Sequence, residues 1–156
     1  MKKGMVLFLS SILIIFSISF SLYAEDQKDT VVSIAKAAKE LIAKEGRVKA
    51  FTAFNDMKGA FVKGDIYIWS ITFDAVCLQH PTNQKLVGMK VPTLKDANGK
   101  AFISEIIDAA KKADDGWIEY SWNHHETKKI TPKKAYFMKV KDTEGEFLIV
   151  SSYYLQ

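Results

Sequence analysis

Four sets of residues carry side chains able to do chemistry. His124 and His125 stand side by side before Glu126, and imidazole with carboxylate is a zinc-type donor set. Neighbours in an extended segment point to opposite sides, so the two rings cannot face one metal unless the turn folds them together. A solvated hairpin loop is therefore expected there, and no metal. Cys77 lies three residues before His80, a thiol within reach of a base, but no third group or oxyanion donor accompanies them. Its neighbours Val76 and Leu78 make Cys77 a buried structural thiol, so neither an enzyme nor a cofactor is expected. Asp96, Asn98 and Gly99 resemble a calcium loop, yet the glycine falls two positions too early and a plain turn is expected. The fourth set is aromatic: Tyr67 with Trp69, Tyr120 with Trp122, and Lys134 with Tyr136, each pair at matching strand parity. Such residues offer apolar walls with phenol and indole donors. Lys134 could pair with a carboxylate and His80 could hydrogen-bond it, although each aromatic has an equally simple reading as core. Lys128, Lys129, Lys133 and Lys134 form a basic patch, read as a solvated hairpin or a dock for an acidic partner.

The elements that must position these groups centre on Gly64 to Gly88. Tyr67, Trp69, Ile71 and Phe73 alternate with Ile66, Ile68, Ser70 and Thr72, which predicts a strand with both faces occupied. Asp74 and Ala75 mark a turn, and Val76, Cys77 and Leu78 begin a second short strand ending near His80 and Pro81. Such a hairpin needs cover on each side. Upstream, Val31, Ile34, Ala35, Ala38, Leu41 and Ile42 recur at helical spacing and Gly46 is placed to end that helix. Val48, Ala50, Phe51 and Phe54 predict a shorter second helix. Downstream, the turn-rich stretch 81–100 reads as a long loop with one helical turn. Phe102, Ile103, Ile106, Ile107 and Ala110 then mark a third helix. Strands are expected over 117–122, 134–140 and 147–154. The sum is an α+β fold of the PAS type, a long N-terminal helix packed on a five-stranded antiparallel sheet.

Composition narrows the function classes. The 156-residue chain opens with Lys2 and Lys3, then an uncharged apolar run from Met5 to Tyr23 that ends at Ala24 before Glu25 and Asp26. This pattern predicts an export signal over residues 1–24 and one domain over residues 25–156, in a periplasmic or secreted location. A retained membrane anchor is the alternative. The net charge of +4 includes both lysines of the leader, too mild a balance to argue for nucleic acid or a membrane surface. The single cysteine excludes an internal disulfide.

Read in order, FND at Phe54 to Asp56, FVKGDIYIW at Phe61 to Trp69, HP at His80 and Pro81, LVG at Leu86 to Gly88, LKDANGKAF at Leu94 to Phe102, GWIEYSW at Gly116 to Trp122, and PKKAY at Pro132 to Tyr136 resemble the single Cache domains, PAS-like extracellular sensor modules. The sequence departs from the family pattern at Asp74-Ala75-Val76, at Asn123-His124-His125 and at Ser151-Ser152. The resemblance implies a small-molecule pocket between the sheet and the loop-helix segment that crosses it. Its expected lining is Tyr67, Trp69, His80, Tyr120, Trp122, Lys134 and Tyr136, with a small anionic ligand, a carboxylate for instance. It also implies signalling, of the chemotaxis kind, through a separate membrane receptor or kinase. A structural or protein-interaction module that kept the fold and lost the pocket is the alternative.

Overall fold

A computed structural model describes residues 26–155. The export signal expected over residues 1–24 lies outside them. Helix α1 covers residues 26–45 and buries Val31, Ile34, Ala35, Ala38 and Ile42 along one stripe. Gly46 adopts φ 80°, a conformation glycine reaches without steric cost. Its N–H closes on the Ile42 carbonyl at 2.9 Å while its own carbonyl accepts from Ala50 at 3.1 Å, so one residue ends α1 and opens α2 (Arg47–Asn55).

The strands are β1 (Val62–Lys63), β2 (Ile66–Thr72), β3 (Cys77–Gln79), β4 (Asp115–Asn123), β5 (Ile130–Asp142) and β6 (Gly145–Tyr154). All pairings are antiparallel. The order is β1-β2-β6-β5-β4, and β3 lies beside β2 on the edge that β1 also uses. The closing strand β6 is therefore the central one and sits next to β2, with Trp69 opposite Val150. The short β1 is an addition to the five strands that periodicity predicts. Helix α3 (Phe102–Ala110) and a 3-10 turn (Gln84–Leu86) complete the fold.

Each face of the sheet holds its own core. Ile66, Ile68, Tyr136, Met138, Phe147, Ile149 and Tyr153 pack under α1 and α2. Trp69, Ile71, Tyr120, Phe137, Leu148 and Val150 pack under α3. The helix-side core is pinned at its end by Arg47, whose Nε and Nη2 donate to the Asp142 carboxylate at 2.8 and 2.7 Å. The same guanidinium lies 4.5 Å from the Phe147 ring centroid. A fork of this kind fixes geometry as well as charge. It locks the α1–α2 junction to the β5–β6 hairpin.

Between β3 and α3 the chain crosses the α3-side face as an ordered loop. Cys77 exchanges backbone bonds with Met89 and Gly88 at 3.0 and 2.8 Å, and Val91 donates to Ala75 at 2.8 Å. Asp96 pins the far end: Oδ1 accepts from the N–H groups of Asn98 and Lys100, and Oδ2 from Ser121, each at 2.8 Å. The Ser121 bond is the chief cause that holds this carboxyl below its ordinary range. With both oxygens engaged by backbone donors, the Asp96–Gly99 stretch is the plain turn its spacing suggests. The loop forms a roof over the sheet.

Candidate functional site

Under this roof lies a cavity of about 320 Å³. That is within the usual size range of small-molecule sites. Tyr67 and Trp69 of β2 form one wall, Tyr120 and Trp122 of β4 another, and Phe102 of α3 closes the top, with its ring stacked on Tyr120 at 4.3 Å. Leu86, Val91 and Leu94 come from the crossing loop. A bulge between Ser70 and Ile71 lets Cys77 line the cavity while Gln79, two residues on, donates to Asn55 of α2 at 2.9 Å.

His80 follows β3 and rests between Trp69 and Tyr67, with ring centroids 6.1 and 5.5 Å away. Its Nδ1 accepts the Asn83 N–H at 3.2 Å, which places the proton of the neutral ring on Nε2 as a donor. Burial, and then the positive charge of Lys133, push its pKa down to about 4. His80 is thus neutral at physiological pH.

Lys133 is the charged group in the cavity. It is 3% exposed and lies opposite Tyr120 on one side and Tyr154 on the other. Its Nζ sits 4.4 Å from the Tyr154 ring centroid and 5.5 Å from that of Tyr67. Ring faces attract a cation but supply no full countercharge. Burial lowers its pKa to about 8, with Asp65 offsetting part of the effect through space. This residue was expected in a solvated basic patch; the β5 pleat instead turns it inward.

Of the residues expected at the pocket, Tyr67, Trp69, His80, Tyr120 and Trp122 line one cavity. Lys134 and Tyr136 do not, and the expectation that they face it is corrected here. Lys134 lies opposite Glu119 on β4 and reaches its carboxylate at 3.4 Å, next to Trp117. Tyr136 belongs to the core under α1. The reason is phase: Tyr120 is opposite Lys133, and a shift of one residue along β5 moves each side chain to the other face. Phe102 was missed because its helical spacing explained it as core, which it also is.

Cys77 and His80 both line the cavity, with the Cys77 thiol favoured over its thiolate. Burial raises the thiol pKa, and Sγ donates to the Gln79 carbonyl at 3.7 Å. The two loop histidines differ from expectation. Their rings stack 5.5 Å apart at 7°, and both face Asp65 from the β1–β2 turn.

The chain matches the single Cache domain 2 family over residues 25–155. Among solved structures, a Cache chemosensory domain described for carboxylic acid recognition is 22% identical, with a TM-score of 0.65 over 87% of this chain and 97% of that one. A periplasmic sensor domain of a chemotaxis protein is 20% identical, with a TM-score of 0.65 over 86% and 98%. A methyl-accepting chemotaxis protein from Vibrio parahaemolyticus RIMD 2210633 is 19% identical, with a TM-score of 0.59 over 99% and 98%. The similarity thus spans both layers of the fold and the roof over the cavity, and the chain belongs to the single Cache domain 2 family.

Proposed function

We propose that this protein is an exported sensor domain that binds a small carboxylate beneath the roof loop and signals through a separate receptor or kinase. The observation that carries the reading is Lys133, an ammonium buried among aromatic walls and facing a cavity. A buried cation without a close carboxylate is costly, and an anionic ligand would relieve that cost. His80 Nε2 supplies a neutral donor beside it. The carboxylic acid recognition described for one similar Cache domain is consistent with this chemistry. Residues 1–24 serve as the export signal in this reading, and no helix among the described residues is long and apolar enough to cross a membrane.

The interaction-module alternative requires side chains to fill the space under the roof, whereas a cavity of about 320 Å³ is open there. The reading includes no catalytic step. A thermal-shift screen of the purified protein against mono- and dicarboxylates, amino acids and amines tests it. Stabilisation by carboxylates in excess of matched amides and amines is expected. Stabilisation by amines alone, or by no compound, would count against the proposal.

A further inference from the structure

We infer that Asp65, His124 and His125 form a binding site for a divalent transition-metal ion of the zinc type at the mouth of the cavity, which His125 also lines. One ligand atom from each residue lies within 4.8 Å of the other two. His125 Nδ1 is 2.7 Å from Asp65 Oδ1, and His124 Nε2 is 3.4 Å from Oδ2. A tetrahedral ion with bonds of about 2.0 to 2.2 Å separates neighbouring ligand atoms by roughly 3.4 Å, so the 2.7 Å contact must lengthen and one of the two parallel rings must rotate for both in-plane lone pairs to meet the ion.

The backbone explains why two consecutive histidines converge. After β4 the chain does not continue as an extended hairpin. Lys128 donates to the His124 carbonyl at 2.9 Å with φ 57° at Lys128, and His124 donates to Lys129 at 2.9 Å. This closed turn breaks the alternation of side chains and sets the two rings face to face. Tyr154 backs the His124 ring at 4.4 Å, and its hydroxyl donates to the Asn123 carbonyl at 3.0 Å. Asp65 is delivered by the tight β1–β2 turn, where Gly64 takes φ 59°.

The group behind His125 matches what a bound imidazole requires. With His125 coordinating through Nδ1, its Nε2–H faces the Glu126 carboxylate at 3.8 Å, within reach of a small rotation of that exposed side chain. A carboxylate behind a ligating histidine orients the ring and raises its basicity. His124 would coordinate through Nε2. Its Nδ1 now accepts long N–H contacts from Glu126 and Thr127 at 3.3 and 3.5 Å, which coordination would give up. Both are at the weak end of hydrogen bonding, so the loss is small. Two imidazoles and one carboxylate favour zinc, copper or nickel over calcium or magnesium, which take all-oxygen sets.

The test is a calorimetric titration of the untagged protein with Zn²⁺, free of added carboxylate. One ion per chain is expected, with affinity lowered by more than roughly a hundredfold in His125→Ala and in Asp65→Asn, beyond the tenfold-to-hundredfold scale of a lost supporting contact. His125 is 64% exposed on its side chain, so its removal leaves the fold intact even if His124→Ala does not. Mg²⁺ and Ca²⁺ should give no heat at the same concentration. Absence of a Zn²⁺ isotherm in the wild type, or unchanged affinity in both variants, would overturn the inference.

Discussion

Lys133→Met is expected to weaken carboxylate binding by roughly tenfold to a hundredfold, the worth of a charge-assisted hydrogen bond of about 1.5 to 3 kcal/mol. Methionine keeps the length and apolar stem of lysine, so the walls formed by Tyr67 and Tyr154 retain their contacts. The substitution also removes a buried charge, and the ligand-free protein should become no less stable. Lys134→Ala provides the contrast. Its ammonium is a neighbour of Glu119 on the opposite face, so its loss should leave affinity within about twofold and cost under 1 kcal/mol of stability. Isothermal titration with the best carboxylate from the thermal screen checks both variants. A large loss in Lys134→Ala with none in Lys133→Met would reverse the assignment.

Phe147→Ala should be among the most destabilising single changes, at about 3 to 5 kcal/mol. The ring is fully buried at the start of β6, edge-on to Phe51 at 5.9 Å and beneath the Arg47 guanidinium. Deleting it opens a void between α2 and the sheet and strips the apolar floor from the Arg47–Asp142 fork. These neighbours belong to separate elements, α2 and the β5–β6 turn, so collapse around the void is hindered. Urea unfolding followed by circular dichroism measures the loss. A change under about 1 kcal/mol would mean that the junction repacks freely.

Much of this fold is readable from the residues because α1 and α3 each bury a clear stripe and because Gly46 sits where the chain must turn. The aromatic set was legible for a related reason: Tyr67, Trp69, Tyr120 and Trp122 share parity within their own strands. The phase of β5 was not. Lys134, Tyr136, Met138 and Val140 alternate with Lys133, Ala135 and Phe137, and both series are apolar beyond the lysines, so periodicity cannot say which faces the cavity. The β4–β5 register decides it, through a hairpin whose loop conformation depends on a left-handed Lys128. The same loop hid the histidine cluster. Alternation was the right rule for an extended segment, but the chain there is a closed turn, and the third ligand arrives from Asp65, far away in sequence.

Lys133 is the centre of the account, and its titration offers the most direct test. In the ligand-free protein its pKa is lowered to about 8, so the ammonium gives way to neutral amine above that pH. An anion in the cavity favours the ammonium and raises this pKa, so binding takes up a proton where the free amine is neutral. Carboxylate affinity should be nearly flat from pH 6.5 to 7.5 and then fall by up to about tenfold per pH unit above 8. The contribution of Lys133 to the stability of the free protein moves the other way. Between about 8 and the ordinary lysine value of 10.5 the unfolded chain binds more protons than the folded one, so stability gains from this group as pH rises. Cys77, Tyr136 and Tyr154, whose pKa values are raised by folding, oppose this gain toward pH 10, so folding is followed by circular dichroism at each pH. The measurement is the carboxylate dissociation constant by calorimetry from pH 6.5 to 10 in wild type and Lys133→Met. The account predicts a steep fall above pH 8 in the wild type and none in the variant, whereas the same profile in both proteins would contradict it.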